Sequence, residues 1–382
     1  MPSFVAGVAH AAAAPVGHAA VNGGELSAVS CPTSSWCMAV GNGTHSGEGL
    51  PGRPLTYRLS DGRWRQVAAP HRTPAGHQVS GLSTVSCPSV SDCYALGTAS
   101  TSSSPTEIIA EHFDGRTWSF VPVQRPGRVV TTSVSCAGSG RCDAVGTRYT
   151  GDPFHGGLSR AVAWVLRNGR LRLVPTARRM FPNETLKSVS CVTATACTAV
   201  GGERAGNLER PLIETWNGAR WSAVRPLARP PAGDGPSVLS GVSCPAPGSC
   251  VASGTTVGQV RTLVYNRRRR GPWRFASPQV ALPGQDRTEV LQFGSVSCLA
   301  YERCAGAGSF TTYSRSERAT VEWRGGGRFR ATRAPSGTEQ LDAVDCKSVC
   351  TWVGESTPVQ QPLVLRGTGG HPTREKLPTP VP

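Results

Sequence analysis

The stretch Leu186–Gly201, LKSVSCVTATACTAVG, decides the fold because the chain carries seven near-copies of it. Each copy holds two cysteines, and all 14 cysteines of the chain belong to a copy. The copies return at a period of roughly fifty residues, which is typical of repeat architectures built from one supersecondary unit. They are Leu26–Gly41, Leu82–Gly97, Thr131–Gly146, Leu186–Gly201, Leu239–Gly254, Phe293–Gly308 and Leu341–Gly354.

Each repeat can be divided into four short strands. In the fourth repeat these are Leu186–Cys191, Cys197–Gly201, Pro211–Trp216 and Trp221–Val224, and an Asn-Gly pair between the last two favours a tight hairpin. An aromatic residue usually follows that turn and is expected to pack between neighbouring repeats; a stripe of ligand-stacking rings is the alternative. The pattern predicts an all-β, seven-bladed β-propeller of four-stranded antiparallel blades. The aromatic residues are Trp64, Trp118, Trp221, Trp273 and Phe329.

The repeats place the blades at about 25–70, 81–123, 130–175, 185–228, 238–280, 290–334 and 340–378 of a single propeller spanning 25–382. Residues 1–24 are expected to be a disordered Ala-rich leader or the remnant of a signal peptide. They contain a run of small apolar residues like the second half of a signal peptide, but the basic n-region of such a peptide is missing. The seventh repeat differs from the others. It has Asp345 where the others have Ser, and its cysteine loop is shorter than theirs. Closure of the ring between the seventh and first blades is therefore the least supported part of the prediction.

The cysteines fall into seven local pairs, six separated by five residues and the last by three. One cysteine ends the first strand and its partner opens the second, so they face each other across a hairpin and predict one disulfide per blade. Such disulfides indicate an exported protein. Zinc is the alternative, but no pair has a matching His or second Cys pair at ligand spacing. The predicted disulfides are Cys31/Cys37, Cys87/Cys93, Cys136/Cys142, Cys191/Cys197, Cys244/Cys250, Cys298/Cys304 and Cys346/Cys350.

Composition and charge limit the partners. No apolar run reaches the roughly 18 residues of a membrane span, so no transmembrane segment is predicted. The formal charge is +16, and all but three of the 40 basic residues are arginines. An anionic-polymer surface is one interpretation. The arginines are scattered along the chain, however, and a codon bias toward arginine explains such a distribution better. No specific nucleic-acid partner is predicted.

The pattern L-x-x-V-S-C-x5-C-x-A-V-G, followed by P-L-I-E-x-W-[DN]-G-x-x-W-S-x-V, resembles repeats of exported actinobacterial proteins from about Glu25 onward. It is also loosely similar to bacterial-neuraminidase-repeat and Asp-box propellers. Asp114-Gly115-Arg116-Thr117-Trp118 lacks the D-x-G spacing of the Asp box, so the resemblance implies a propeller and transfers no catalytic residue.

The loops between second and third strands share one end of such blades with the blade-to-blade links; we call this end the long-loop face. It includes Asn42–Pro54, Thr147–Arg160, Gly202–Pro211 and Ser309–Arg318. Dissimilar loops on a regular scaffold commonly carry function, although solvated loop polarity explains the same residues. The candidate ligand-binding residues are Arg148, Tyr149, Asp152, His155, Glu203, Arg204, Arg210, Tyr313 and Arg315.

No signature of catalysis accompanies these residues. There is no HExxH, GxSxG or phosphate loop, and no carboxylate pair is marked. His45, His71 and His77 lie on the same face without fixed ligand spacing, so no metal or other cofactor is predicted. We expect a monomeric, secreted or cell-surface, non-enzymatic binding module whose partner is an extracellular polysaccharide or protein. A glycan-acting hydrolase or lyase on the same scaffold is the alternative.

Overall fold

A computed structural model of the chain describes residues 21–45, 52–101, 104–125, 127–150, 157–177, 183–205, 208–224, 237–256, 262–269, 271–276, 279–281, 290–301, 303–311, 316–324, 328–357, 360–368 and 372–379. These residues form seven separate sheets. In each sheet the four strands of one repeat pair in antiparallel order, so each repeat is one blade of a seven-bladed β-propeller, as the sequence predicts. No helix in the described part of the chain is long and apolar enough to cross a membrane.

The first four blades each have four strands. Blade 1 is β1 (Val21–Thr33), β2 (Trp36–His45), β3 (Arg53–Ser60) and β4 (Arg63–Gln66). Blade 2 is β5 (Gln78–Ser89), β6 (Asp92–Thr101), β7 (Ser104–Phe113) and β8 (Trp118–Val121). Blade 3 is β9 (Val129–Gly138), β10 (Arg141–Thr150), β11 (Leu158–Arg167) and β12 (Arg170–Val174). Blade 4 is β13 (Asn183–Thr193), β14 (Ala196–Ala205), β15 (Leu208–Trp216) and β16 (Trp221–Ala223).

The remaining blades follow the same plan with one addition. Blade 5 is β17 (Ser237–Ala246), β18 (Ser249–Thr256), β19 (Thr262–Arg267) and β20 (Arg274–Ala276). Blade 6 is β22 (Val290–Ala300), β23 (Arg303–Thr311), β24 (Ser316–Arg324) and β25 (Arg328–Arg333), with β21 (Gln279–Ala281) added in parallel to β25. Blade 7 is β26 (Thr338–Cys346), β27 (Cys350–Ser356), β28 (Gln361–Gly367) and β29 (Thr373–Arg374).

The first strand of each blade contacts the first strand of the next, and β26 of blade 7 returns to β1, so the ring is closed. Closure needs no exchanged strand, since all strands of blade 7 follow those of blade 6 in sequence. The N-terminal strand begins at Val21, a few residues before the first repeat copy.

A circle of hydrogen bonds joins the blades at the repeated V-S-C motif. The motif's serine hydroxyl accepts a bond from the backbone N–H of the first cysteine in the next blade, as at Ser190 and Cys244, 3.0 Å apart. The same bond recurs at 2.9–3.0 Å for the other five serines. At the seventh joint, Asp345 Oδ2 accepts the Cys31 N–H at 2.7 Å. The substitution that marked the seventh repeat as irregular therefore keeps the acceptor that closes the ring.

The glycine that ends each copy is required by a β-bulge in the first strand. In blade 4 the pairing skips Lys187, so Leu186 faces Gly201 and Ser188 faces Val200. A Cβ on Gly201 would lie 1.9 Å from the Thr185 carbonyl oxygen, far closer than any side chain allows. Five other copies show the same crowding at 1.9–2.4 Å. The glycine of the A-V-G pattern is thus required because the two inner strands approach each other closely at this position.

All seven predicted disulfides form, one per blade, and no cysteine is free. Their Cα–Cα distances of 3.9–4.1 Å reflect directly opposed positions of an antiparallel pair, such as Cys191 and Cys197. Disulfides in this number persist in oxidising environments, which indicates a location outside the cytoplasm.

The position of the second cysteine differs from the prediction by one residue in six blades. It is the second residue of its strand rather than the first, and it is buried in a cluster of hydrophobic side chains, at 8% exposure or less. These cysteines therefore belong to the core and not to any ligand-binding surface. In blade 7, Cys350 opens β27, as predicted. The six buried residues are Cys37, Cys93, Cys142, Cys197, Cys250 and Cys304, and three of the first cysteines, Cys31, Cys87 and Cys346, are buried as well.

The hydrophobic core is distributed between the blades rather than within them. Each of seven clusters combines residues of two neighbouring blades, as where Val353 and Val364 of blade 7 pack with Leu26 and Tyr57 of blade 1. Four of the aromatic residues after the hairpin turn are buried, at 6% exposure or less, which agrees with packing between blades. They are Trp64, Trp118, Trp221 and Trp273; the side chain of Phe329 lies outside the described residues.

Two kinds of turn connect the third and fourth strands. Asp61-Gly62 and Asn168-Gly169 have positive φ at both residues, the geometry of a type I′ hairpin. At Asp114-Gly115 only the glycine has positive φ, and Asp114 Oδ1 accepts the N–H groups of Arg116 and Thr117 at 2.8 Å. Asn217 uses the same side-chain capping in blade 4. The Asp/Asn-Gly pairs predict the turn correctly but not which of these two geometries it takes.

Candidate functional site

The long-loop face differs from the predicted arrangement because much of its sequence is strand. In blade 3, β10 continues to Thr150 and β11 starts at Leu158; in blade 4, β14 and β15 stay paired as far as Ala205 and Leu208. The described parts of these two segments, which were expected to be loops, are therefore paired strands. Because strand side chains alternate between faces, register now decides which residues can meet a ligand.

A cavity of about 210 Å³ lies on this face between blades 3 and 4. Blade 3 contributes the projecting ends of β10 and β11, and blade 4 contributes the beginning of β13 with the β14–β15 hairpin. The lining residues combine an aromatic ring, neutral hydrogen-bonding groups, two glycines and an oppositely charged pair. They are Tyr149, Gly157, Ser159, Asn183, Thr185, Gly202, Arg204 and Glu209.

Hydrogen bonds hold the walls of the cavity in place. Asn183 Oδ1 accepts the N–H of Ser159 at 3.1 Å and so joins blade 4 to blade 3 across the cavity. In the adjacent strand β10, the N–H of Tyr149 donates to the Arg128 carbonyl oxygen at 2.9 Å. Tyr149 and Asn183 both line the cavity. The aromatic and polar walls are therefore positioned by backbone contacts before any ligand binds.

The charged pair sits on directly opposed strand positions. Arg204 of β14 faces Glu209 of β15 in register. Burial raises the pKa of Glu209, while Arg204 and Lys187 act in the opposite direction. Gly202 leaves room for this carboxylate, since a Cβ there would lie 3.0 Å from Glu209 Oε1. The pair gives the cavity one donor-rich cation beside one acceptor.

One polar atom of the wall is unsatisfied. Thr185 Oγ1 is buried and has no hydrogen-bond partner among the described residues. A buried hydroxyl without a partner costs free energy, so a polar group that entered the cavity would be stabilised by it. Together with Asn183 and Ser159, this threonine makes the wall suited to ligand hydroxyl groups.

The predicted binding residues are divided by register. Tyr149 and Arg204 line the cavity. Arg148, Glu203 and Arg210 are one position away along their strands, so they lie on the opposite faces of the sheets. Asp152, His155, Tyr313 and Arg315 lie outside the described residues. Sequence reasoning did not select Ser159, Asn183 or Thr185, because no motif marks them and only the packing of blade 3 on blade 4 brings them together.

One further histidine of the long-loop face, His77, is already engaged by a carboxylate. His77 Nδ1 lies 2.6 Å from Glu107 Oε2, and Arg125 contacts the other oxygen of the same carboxylate. His71 is exposed on the link before β5, and the side chain of His45 lies outside the described residues. Among the described lining residues of the cavity, Glu209 is the one carboxylate. A glycosidase-type pair of carboxylates is therefore not assembled by the described part of this cavity.

Comparison with known proteins agrees with the fold and leaves the ligand open. No family model and no curated protein matches the chain. Among solved structures, an ulvan lyase described as a new family of polysaccharide lyase is similar with a TM-score of 0.54 at 9% identity, covering 94% of this chain and 98% of that chain. YCF48 bound to a D1 peptide is similar with a TM-score of 0.51 at 11% identity, covering 91% and 94%.

A third similar structure is the β-propeller domain of the Trilobed protease from Pyrococcus furiosus, with a TM-score of 0.50 at 8% identity over 92% of this chain and 98% of that chain. At these identities the likeness shows the shared propeller fold alone. The chain is thus a disulfide-stapled β-propeller whose structural neighbours include both binding proteins and enzymes.

Proposed function

We propose that the protein is an exported, non-enzymatic binding module that takes a unit of an extracellular polysaccharide into the cavity between blades 3 and 4. The observation that carries this proposal is the composition of the cavity wall. It offers the Tyr149 ring for stacking, the unpartnered Thr185 hydroxyl, the Asn183 amide and the Arg204–Glu209 pair. Sugars present hydroxyl groups around an apolar ring face, and such a wall matches both.

The size of the cavity sets the scale of the ligand. At about 210 Å³ it is smaller than the roughly 300–1,000 Å³ of pockets that enclose drug-sized molecules. One sugar unit of a chain would enter it, and neighbouring units would lie along the long-loop face. Export is supported by the seven disulfides.

The test is a binding screen of the full chain against neutral and anionic polysaccharides at about 150 mM salt, which suppresses the non-specific attraction of a +16 protein. Tyr149→Ala and Arg204→Ala should each weaken binding of a hit by about 10-fold, the loss expected for one stacking or charge-assisted contact. Arg220→Ala, an exposed arginine of the hairpin turn at the other end of blade 4, is the matched control and should bind normally.

A screen without a hit, or a hit that Arg220→Ala weakens as much as Arg204→Ala, would overturn the proposal. Capture of a protein instead of a glycan would assign the cavity to a protein partner. Release of new reducing ends or unsaturated products from a bound polysaccharide would favour the hydrolase or lyase alternative, in which case carboxylates of the long-loop face outside the described residues would have to supply the chemistry.

A further inference from the structure

The residue that follows the second cysteine of each repeat packs against the disulfide of the next blade. In four blades it is apolar or aromatic and shares a hydrophobic cluster with those cysteines. In two blades it is a threonine whose Oγ1 lies 3.6–3.7 Å from a cysteine sulfur. In blade 3 it is a carboxylic acid. The seven residues are Met38, Tyr94, Asp143, Thr198, Val251, Ala305 and Thr351.

At this position Asp143 is the one residue of the seven that places a carboxyl group against the sulfurs of a disulfide. Its Oδ2 lies 3.5 Å from Cys197 Sγ and 3.7 Å from Cys191 Sγ. Asp143 is 3% exposed, and its Oδ1 is buried without a hydrogen-bond partner among the described residues. Sulfurs joined in a disulfide carry no hydrogen, so they cannot donate to this carboxyl group.

Reduction of the Cys191–Cys197 disulfide would supply such donors. Two thiols in place of the disulfide would present S–H donors to a buried carboxyl group that has no other donor among the described residues. We propose that Cys191–Cys197 is a thiol-exchange site, reduced more easily than the other six disulfides, and that Asp143 is the residue that makes it so. The chemical partner is an external dithiol. Cys191 is partly exposed and Cys197 is buried, so the proposal assigns the attack of such a reagent to Cys191 Sγ.

The exchange can be written in two displacements. A thiolate of the dithiol attacks Cys191 Sγ, the Cys191–Cys197 bond breaks, and Cys197 leaves as a thiolate that takes the proton of the Asp143 carboxyl. The second thiolate of the dithiol then displaces Cys191, which is protonated from solvent. Two electrons pass to the protein, the dithiol becomes a cyclic disulfide, and Asp143 regains a proton from solvent.

Burial raises the pKa of Asp143 to about 7, opposed by the nearby charge of Arg167. A carboxyl with this pKa is protonated in a substantial fraction of molecules near neutral pH, as proton delivery to Cys197 requires. Arg167 itself donates to the Gly218 carbonyl oxygen at 3.4 Å and forms no hydrogen bond to Asp143 in the described structure.

The test equilibrates the full chain at pH 7 in a series of reduced and oxidised dithiothreitol mixtures. Free thiols are blocked, the remaining disulfides are reduced and labelled differently, and each cysteine peptide is quantified by mass spectrometry. Cys191–Cys197 should have a reduction equilibrium constant about 10- to 100-fold larger than Cys136–Cys142 and Cys244–Cys250. Those two pairs are matched references because their first cysteine is also partly exposed.

Two variants separate the proposal from simple loosening of blade 4. Asp143→Thr installs the residue that blades 4 and 7 carry at this position and should remove the difference, while Thr198→Asp should make Cys244–Cys250 more reducible. Equal reduction of the three pairs in the unmodified chain would overturn the proposal. An advantage of Cys191–Cys197 that survives in Asp143→Thr would also overturn it, because a weakened blade would remain reducible without the carboxyl group.

Discussion

A single side chain, Asp345, completes the circle of inter-blade hydrogen bonds at the joint between blades 7 and 1. Asp345 Oδ2 accepts the Cys31 N–H at 2.7 Å, while Oδ1 accepts the Cys346 N–H at 2.8 Å and the Ser297 hydroxyl at 3.1 Å. Asp345→Ala removes all three bonds. The Cys346 N–H keeps the Ser297 hydroxyl as acceptor, at 3.0 Å. The Cys31 N–H is left without an acceptor in a residue that is 2% exposed.

The magnitude follows from that one orphaned donor. A buried N–H that loses its partner costs about 1–3 kcal/mol, and the cost falls on opening of the interface between blades 7 and 1. Because about 1.4 kcal/mol corresponds to a factor of ten, hydrogen exchange of the Cys31 amide should become about 5- to 150-fold faster. Asp345→Ser restores the side chain used at the other six joints and should return the rate close to that of the unmodified chain.

The assay is hydrogen–deuterium exchange with single-amide resolution, and the repeat supplies its control. Ser190→Ala breaks the equivalent bond between blades 4 and 5, so it should accelerate exchange at Cys244 and leave Cys31 unchanged. The reasoning would be refuted by a Cys31 rate within twofold of the unmodified chain in Asp345→Ala. An Asp345→Ser protein as fast as Asp345→Ala would refute it as well.

Two further predictions concern the interior. Glu111 is fully buried, neither carboxylate oxygen has a described hydrogen-bond partner, and burial raises its pKa from 4.5 to about 8. Between these two pH values the folded state keeps the proton on the Glu111 carboxyl group, whereas the unfolded state releases it. The free energy of unfolding should therefore fall by up to about 5 kcal/mol as pH rises from about 4.5 to 8. Denaturant unfolding of Glu111→Gln should show a flatter dependence on pH. Gly201→Ala should destabilise the fold by about 3 kcal/mol or more, because its Cβ would lie 1.9 Å from the Thr185 carbonyl oxygen. Gly138→Ala has nothing within 4 Å of the added Cβ and should unfold at the same denaturant concentration as the parent, and equal effects of the two substitutions would contradict the bulge argument.

The fold could be predicted because its determinants recur locally. The paired cysteines, the Asp/Asn-Gly turns and the repeat period each predict the structure of one blade. The same pattern occurs in seven copies. The repeat did not predict the hydrogen bonds that join neighbouring blades. Asp345 looked like decay of the seventh copy, yet it supplies the same acceptor as the serine it replaces.

The candidate site was less predictable for the same reason. Tyr149 and Arg204 could be selected because polar and aromatic residues of dissimilar loops stand out against a regular scaffold. Their neighbours Arg148 and Glu203 looked equivalent, but continued strand pairing turns them to the opposite faces of the sheets. Asn183, the first residue of β13, is joined to blade 3 by its bond to the Ser159 N–H. Register and inter-blade packing therefore decide the site, and neither can be extracted from composition.

The most direct test of the account is a count of free thiols in the purified, denatured chain before and after reduction. A closed ring of seven disulfide-stapled blades predicts no free thiol before reduction and 14 after it. Fourteen free thiols before any reductant is added would contradict the account, because the blades would then be held without staples and the inference of an oxidising location would be lost.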